Sequence, residues 1–216
     1  MPTPELTSPQ HEQVQRARTA VASSNLYSAT FQWVPEHYYS LSLSERAKIL
    51  GASSTYQLCK SMLMENKAFD PALALSKNDK SYAQFYLIIL QYEATITNKK
   101  LQNEIRALRP AKKRLDPSKF DFRVASQIAN DRLTGYTHNA VSPFGMKKAE
   151  EVPIVLAKAI VTEERRDMSQ FIWMGGGHVH LKIGLAVEDL VKGLNAAVLD
   201  VTDARSSAGF EDDCFD

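Results

Sequence analysis

Cysteine is scarce in this chain of 216 residues, and an excess of charge of either sign is absent. The two cysteines, Cys59 and Cys214, lie far apart, and Cys214 falls in an acidic tail. That excludes a disulfide framework and fits a reducing compartment. The formal charge of +1 excludes a uniformly basic nucleic-acid binder, so an RNA partner would need a local basic patch. Apolar runs are short, none approaching the roughly 20 residues that a membrane span requires. The stretch from Met1 to Gln15 is polar and lacks the apolar segment of a secretory signal. The expectation is a cytoplasmic protein with no membrane partner.

What is present is the material of a globular domain, with 44% hydrophobic and 24% charged residues. No internal repeat and no break in composition marks a second domain. Residues 1–30 read as an extension. Within it, 1–11 is expected to be disordered and Glu12 to Ser24 a short polar helix, with Val14, Ala17 and Val21 at helical spacing. Its role is open between a partner-binding helix and a tail. Residues 31–202 read as the domain, and 203–216 as a disordered acidic tail.

Inside the domain, Phe31 to Val34 alternates like a strand and stops at Pro35. Ser42 and Gly51 bracket a capped helix. Strands are expected at Tyr56–Met64, Phe85–Tyr92, Pro153–Leu156, Phe171–Met174, Val179–Leu185 and Ala197–Val201. Phe122 to Ala125 opens a further segment. Helices are expected at Asn98–Leu108, Ser126–Leu133 and Val187–Gly193. Their interleaving predicts an α/β (α+β) fold, a sheet covered by helices.

Three stretches carry chemistry. The first is the loop His138-Asn139-Ala140-Val141-Ser142-Pro143-Phe144-Gly145. Its small residues let a backbone approach a ligand and aim N–H groups at a carbonyl, although a plain turn between helix and strand has the same look. The second, Gly175-Gly176-Gly177-His178-Val179-His180, lacks the third glycine and the following helix of a dinucleotide fingerprint. His178 and His180 share a strand face there. With no carboxylate or cysteine at ligand spacing, they read as polar strand residues; no metal and no cofactor are expected. The third is Lys60, alone in an apolar strand, either a snorkelling edge lysine or a cation aimed into a pocket. Cys59 faces away from it and reads as core. A run of positive residues between Lys99 and Arg123, including Lys112, Lys113 and Arg114, fits a solvated face or a phosphate footprint equally well.

The order of these pieces is familiar. Gln57-Leu-Cys-Lys60 is followed by Phe122-Arg-Val-Ala-Ser126, Thr134-Gly-Tyr136 and Ser142-Pro-Phe-Gly-Met-Lys-Lys148. Gly175-Gly-Gly177 and Ala186-Val-Glu-Asp-Leu190 close the series. From about Phe31 to Val201 the chain resembles the YbaK/prolyl-tRNA synthetase-associated domain family. That family includes free-standing ProX-type and YbaK-type proteins and the editing insertion of bacterial prolyl-tRNA synthetases. The resemblance implies a mixed sheet curled into a barrel with helices around it. It also implies hydrolysis of a wrong small amino acid, alanine or cysteine, from mischarged tRNA, typically tRNA-Pro, with a synthetase as a further partner.

Residue by residue, Lys60 falls on the family's strand lysine, which orients the aminoacyl-adenosine end. The family's Gly-x-x-x-Pro loop falls on Asn139–Pro143, with Asn in place of the first Gly. Gly175 opens the second small-residue loop. Lys182 stands where YbaK-type members often carry Asp, and Tyr38 and Tyr39 lie near an important tyrosine of those members. The resemblance implies substrate binding by residues 138–145 and 175–177, and tRNA phosphates are expected at Lys112, Lys113 and Arg114. The rival expectation is a module of the same fold that binds tRNA or a synthetase without turnover.

Overall fold

The computed structural model describes residues 5–162 and 170–205. The chain begins with helix α1 (Ser8–Ser23), whose first turn carries Pro9 and whose Gln10 side chain accepts from the Thr7 N–H at 2.9 Å. Proline costs nothing at a helix start, where its missing N–H has no partner to lose. The helix therefore starts at Ser8, and residues 8–11, expected to be disordered, belong to it. Val14, Ala17 and Val21 are its buried face, as the spacing predicted.

Strand β1 (Thr30–Trp33) and helix α2 (Leu43–Leu50) follow. Ser42 caps α2 by accepting from the Glu45 N–H, and Gly51 ends it at φ +66°. The strand expected from Tyr56 starts later. Thr55–Gln57 is a 3₁₀ turn, and β2 spans Cys59–Asn66. Strand β3 (Phe85–Gln91) is buried along its whole length because layers cover both its faces. Strand β4 (Ala94–Ile96), helix α3 (Asn98–Ala107), strand β5 (Phe122–Val124), helix α4 (Gln127–Leu133) and strand β6 (Ile154–Ala157) continue the chain. It ends with β7 (Phe171–His178), β8 (Leu181–Ala186), helix α5 (Val187–Leu194), β9 (Ala197–Leu199) and β10 (Thr202–Ala204).

The strands form a mixed five-stranded sheet in the order β5-β2-β3-β6-β9, an antiparallel sheet β1-β8-β7 and the pair β10-β4. In the large sheet β5-β2-β3 is antiparallel, and β3-β6-β9 is parallel. The expected barrel is not closed. The two larger sheets meet at a parallel bridge between Leu58 and Trp173. The fold is α+β as expected, with helices against the sheets.

Three further elements depart from the sequence reading. Strand β4 is too short for a periodic signal. Strand β10 lies where a tail was expected, because Thr202–Ala204 pairs with Ile96–Ala94 and gains a ladder there. The rest of the expected tail, 206–216, lies outside the described residues. The glycine run is not a loop. Strand β7 carries through it, with a register shift against β8 between Gly175 and His178. Val179 lies in the β7–β8 turn. Among the described residues, no helix is long and apolar enough to cross a membrane.

Candidate active site

The loop that leaves α4 is held from both sides. Gly135, Asn139 and Gly145 all have positive φ, at +70°, +60° and +70°, so Asn139 supplies the left-handed turn that a glycine would. Tyr136 is buried, donates its hydroxyl to the Phe144 carbonyl at 2.6 Å and accepts at its own carbonyl from Asn130 at 2.9 Å. Helix α1 braces the loop from outside. Arg16 donates to the Gly135 carbonyl at 2.7 Å and to the Gly145 carbonyl at 3.0 Å, with its guanidinium 4.9 Å from the centre of the Tyr136 ring. A Cβ on Gly145 would stand 2.6 Å from the Arg16 carbonyl oxygen, so only glycine lets the helix come this close. On the inner side the loop crosses β7 at Gly175, where any Cβ would collide with the Val141 carbonyl oxygen.

Between this loop and β2 opens a cavity of about 510 Å³. Lys60, Ser61 and Met62 form one wall, and His138, Asn139 and Val141, together with Gly175, form the other. Val124, Ala125 and Gln127 stand at the rim, Val124 being strongly exposed. Asn139 and Val141 line this space, and their backbone N–H groups have no acceptor among the described residues. The inner end is formed by Tyr38, Tyr39, Arg46, Tyr92, Trp173 and Lys182.

That inner end is cationic and aromatic. Arg46 is buried, donates to the carbonyls of Leu41 and Tyr39, and lies 5.2 to 5.8 Å from the ring centres of Tyr38, Tyr39 and Tyr92. The Lys60 ammonium lies 5.5 Å from the Tyr92 ring centre. Lys182 is 4% exposed. Its amine donates to the Tyr39 hydroxyl at 2.6 Å and to the Val179 carbonyl at 3.0 Å, and it sits 4.4 Å from the Tyr39 ring centre. The Tyr39 hydroxyl in turn donates to the Asn139 carbonyl at 3.0 Å, so one tyrosine joins the buried amine to the loop.

Burial, and then the nearby Arg46 charge, bring the Lys182 amine down to about 7. Burial, with Tyr92 and Tyr38 adding to it, holds the Tyr39 phenol well above its ordinary range, so it remains a donor. Among the described residues, no aspartate or glutamate lines the cavity. The cavity can therefore receive anions, carbonyls and hydroxyls, and it offers cations no acidic partner.

The expected site residues divide accordingly. Lys60, His138, Asn139, Val141 and Gly175 line one cavity. Ala140 and Ser142 are fully buried behind it, and the Ser142 hydroxyl accepts from the Phe144 N–H. Pro143, Phe144 and Gly145 lie outside the lining and act as the loop's footing. Gly176 and Gly177 also lie outside it. Gly176 abuts Leu181, and Gly177, at φ +97°, is packed under Gln13 and Ala17 of α1. Cys59 is core, and burial pushes its thiol up, away from a reactive thiolate.

His178 ends β7 and His180 lies in the turn, where the His180 N–H donates to His178 Nδ1 at 3.1 Å. Among the described residues, no group of three potential metal ligands forms. Lys112, Lys113 and Arg114 lie on an exposed 3₁₀ turn and just after it, and do not line the cavity. Sequence reasoning missed Arg46, Tyr92 and Trp173. It noticed Lys182 only as a departure, although a charge in the run Leu181-Lys-Ile-Gly-Leu was a usable signal.

The sequence matches no family model and no curated protein. Solved structures do share the fold. A candidate trans-editing enzyme for prolyl tRNA synthetase superposes with a TM-score of 0.63 at 15% identity, over 93% of this chain and 100% of the other. An epitope scaffold made by computational backbone grafting gives the same TM-score, identity and coverage. The hypothetical protein APE2540 gives 0.61 at 15% identity, over 87% of this chain and 99% of its own.

Proposed function

We propose that the chain is an aminoacyl-tRNA deacylase acting in trans, removing a wrongly attached small amino acid, alanine or cysteine, from tRNA, with tRNA-Pro as the first substrate to test. The observation that carries this reading is one cavity walled by Lys60 on one side and by Asn139 and Val141, whose backbone N–H groups have no acceptor among the described residues, on the other. The shared fold of a candidate prolyl trans-editing enzyme supports it at the level of architecture.

The chemistry needs no side-chain nucleophile, because an aminoacyl ester is already activated. In the proposed arrangement the ester carbonyl lies against the N–H groups of Asn139 and Val141, which stabilise the oxyanion as it forms. Lys60 holds the terminal ribose. Water attacks the carbonyl carbon, the neighbouring ribose hydroxyl helps to take its proton, and the ester oxygen leaves as the free ribose hydroxyl. Exposed Lys112 and Lys113, with Arg114, are assigned to tRNA phosphates outside the cavity.

The test is deacylation of Ala-, Cys- and Ser-tRNA-Pro by the wild type and by Lys60→Ala. We expect hydrolysis of at least one substrate and a loss of more than tenfold in the variant, equivalent to over about 1.4 kcal/mol of transition-state stabilisation. No hydrolysis of any of them, with tRNA binding retained, would replace the enzyme by a binding module of the same fold.

A further inference from the structure

The cavity is larger than an alanyl group requires, so size alone does not decide what it accepts. The decisive feature is its inner end. Lys182 is almost fully buried, yet the groups facing it are Arg46 from α2, Tyr38 and Tyr39 from the turn after β1, and His178 from the end of β7. Its partners across the strands, Gln32 and Gly175, are uncharged. None of these is a carboxylate. Buried ammonium groups are stable when paired, so an amine placed here with no counter-ion among the described residues marks a position that a ligand's charge can complete.

We propose that the cavity also takes an acyl group whose side chain carries a carboxylate seated at Lys182, so that the residues removed extend beyond alanine and cysteine to the acidic class. The valence fits. An ammonium has three N–H bonds; two are used by Tyr39 and Val179, and one is left for a monovalent oxyanion. Arg46 adds a second positive charge but has committed its Nε and one Nη to Leu41 and Tyr39 carbonyls, so it contributes field more than bonds. A cationic side chain meets two like charges there, and an uncharged one leaves the amine unpaired. The acyl end and the adenosine end are separate claims. The adenosine end rests on the deacylase reading, whereas the oxyanion seat rests on Lys182 alone.

The ligand's carboxylate pairs with the protonated amine. Burial, and then the Arg46 charge, bring the Lys182 amine down to about 7, so the preference for a carboxylate is full well below that pH and fades as pH rises through and above it. The pairing itself raises the amine's affinity for its proton, so binding is accompanied by proton uptake near neutral pH.

The experiment titrates 3′-amide-linked aspartyl-, asparaginyl- and alanyl-adenosine into wild type and Lys182→Met by calorimetry between pH 6 and 9. The three share the α-amine, so its own titration cancels in their ratios. Aspartyl-adenosine is expected to bind at least tenfold more tightly than the isosteric asparaginyl compound at pH 6.5. The ratio is expected to fall toward unity by pH 9 in the wild type, and to be near unity at every pH in Lys182→Met. The pH series needs no variant and stands if the variant fails to fold. Free butyrate against the isosteric butyramide repeats the comparison without adenosine.

A tighter asparaginyl or alanyl compound in the wild type overturns the inference and leaves the deacylase reading intact. Butyrate binding through Lys182 with no adenosine compound bound keeps the oxyanion seat and removes the deacylase reading. No binding by any probe removes both.

Discussion

Gly145 and Gly175 carry more of the site than any side chain that touches the cavity. Each marks a place where a Cβ would meet a backbone oxygen, Arg16 in one case and Val141 in the other, and backbone cannot swing aside as a side chain can. At Gly145 the left-handed φ of +70° adds a second cost. Gly145→Ala is therefore expected to destabilise the protein by about 2 kcal/mol or more, from the left-handed conformation and the overpacking together. Urea unfolding measures this, and an unchanged midpoint would show that α1 does not press on the loop. At this scale the sequence was legible where a residue broke a pattern. Lys60 stood out as one cation in an apolar strand, and it does line the cavity. Lys182 did not stand out as a site residue, because the alternation of Leu181, Ile183 and Leu185 assigns it to the opposite, normally wet face. That face looks into a cavity, and no periodicity distinguishes a cavity from solvent.

Among the elements, α1 has the least expected role. Its buried positions were readable from helical spacing, but what they press against was not, since contacts over more than 100 residues leave no local trace. Arg16 holds both glycine hinges of the loop by their carbonyls, and Ala17 packs above Gly177 and into a cluster with Tyr136 and Ala140. We therefore expect residues 31–202 to fold poorly alone. A chain beginning at Asn25 should bind a hydrophobic dye and lose the sharp unfolding transition of the full chain. In the full chain, Arg16→Ala should cost about 1–3 kcal/mol, the range for leaving buried carbonyls without their donor. If the reading of the site holds, it should also lower the deacylation rate without affecting tRNA binding. An Asn25 chain that unfolds as cooperatively as the whole would show α1 to be an appendage. Short elements were the other illegible class: β4 and β10 have three residues each and exist because they find one another.

Over the whole molecule, the near-zero net charge conceals a division of labour. Much of the positive run between Lys99 and Arg123 is used internally. Arg109 is buried in a pair with Asp79 at 2.8 Å, Arg106 donates to the Leu115 carbonyl, and Lys100 pairs with Asp200 and Asp203. Burial pushes the Asp79 carboxyl up, but hydrogen bonds from Ser81, Leu75 and Arg109 prevail and hold it below the usual carboxylate range. A depressed carboxylate stabilises the fold above its unfolded pKa, and that contribution is lost as pH falls through the acid range. The residues left at the surface include Lys112 and Lys113. Replacing both by Glu should weaken binding of any tRNA several-fold and reduce the slope of log affinity against log salt by about 2. An unchanged slope would move the RNA footprint elsewhere. The fold class was legible because strands and helices alternate over long stretches. The failure of the sheet to close was not, since closure depends on how two sheets meet at Leu58 and Trp173.

The glycine run in β7 has an arithmetic consequence. Across the shift, Gly175 faces Lys182 and His178 faces Leu181, so the strand gains two residues on its neighbour. An even surplus preserves the alternation of faces, whereas an odd one reverses it. Loss of a single glycine would transpose His178 and the residues beside it across the sheet. Loss of two would restore straight pairing but remove the seat under Gln13 and Ala17. Length changes here are thus constrained by parity on one side and by the helix above on the other.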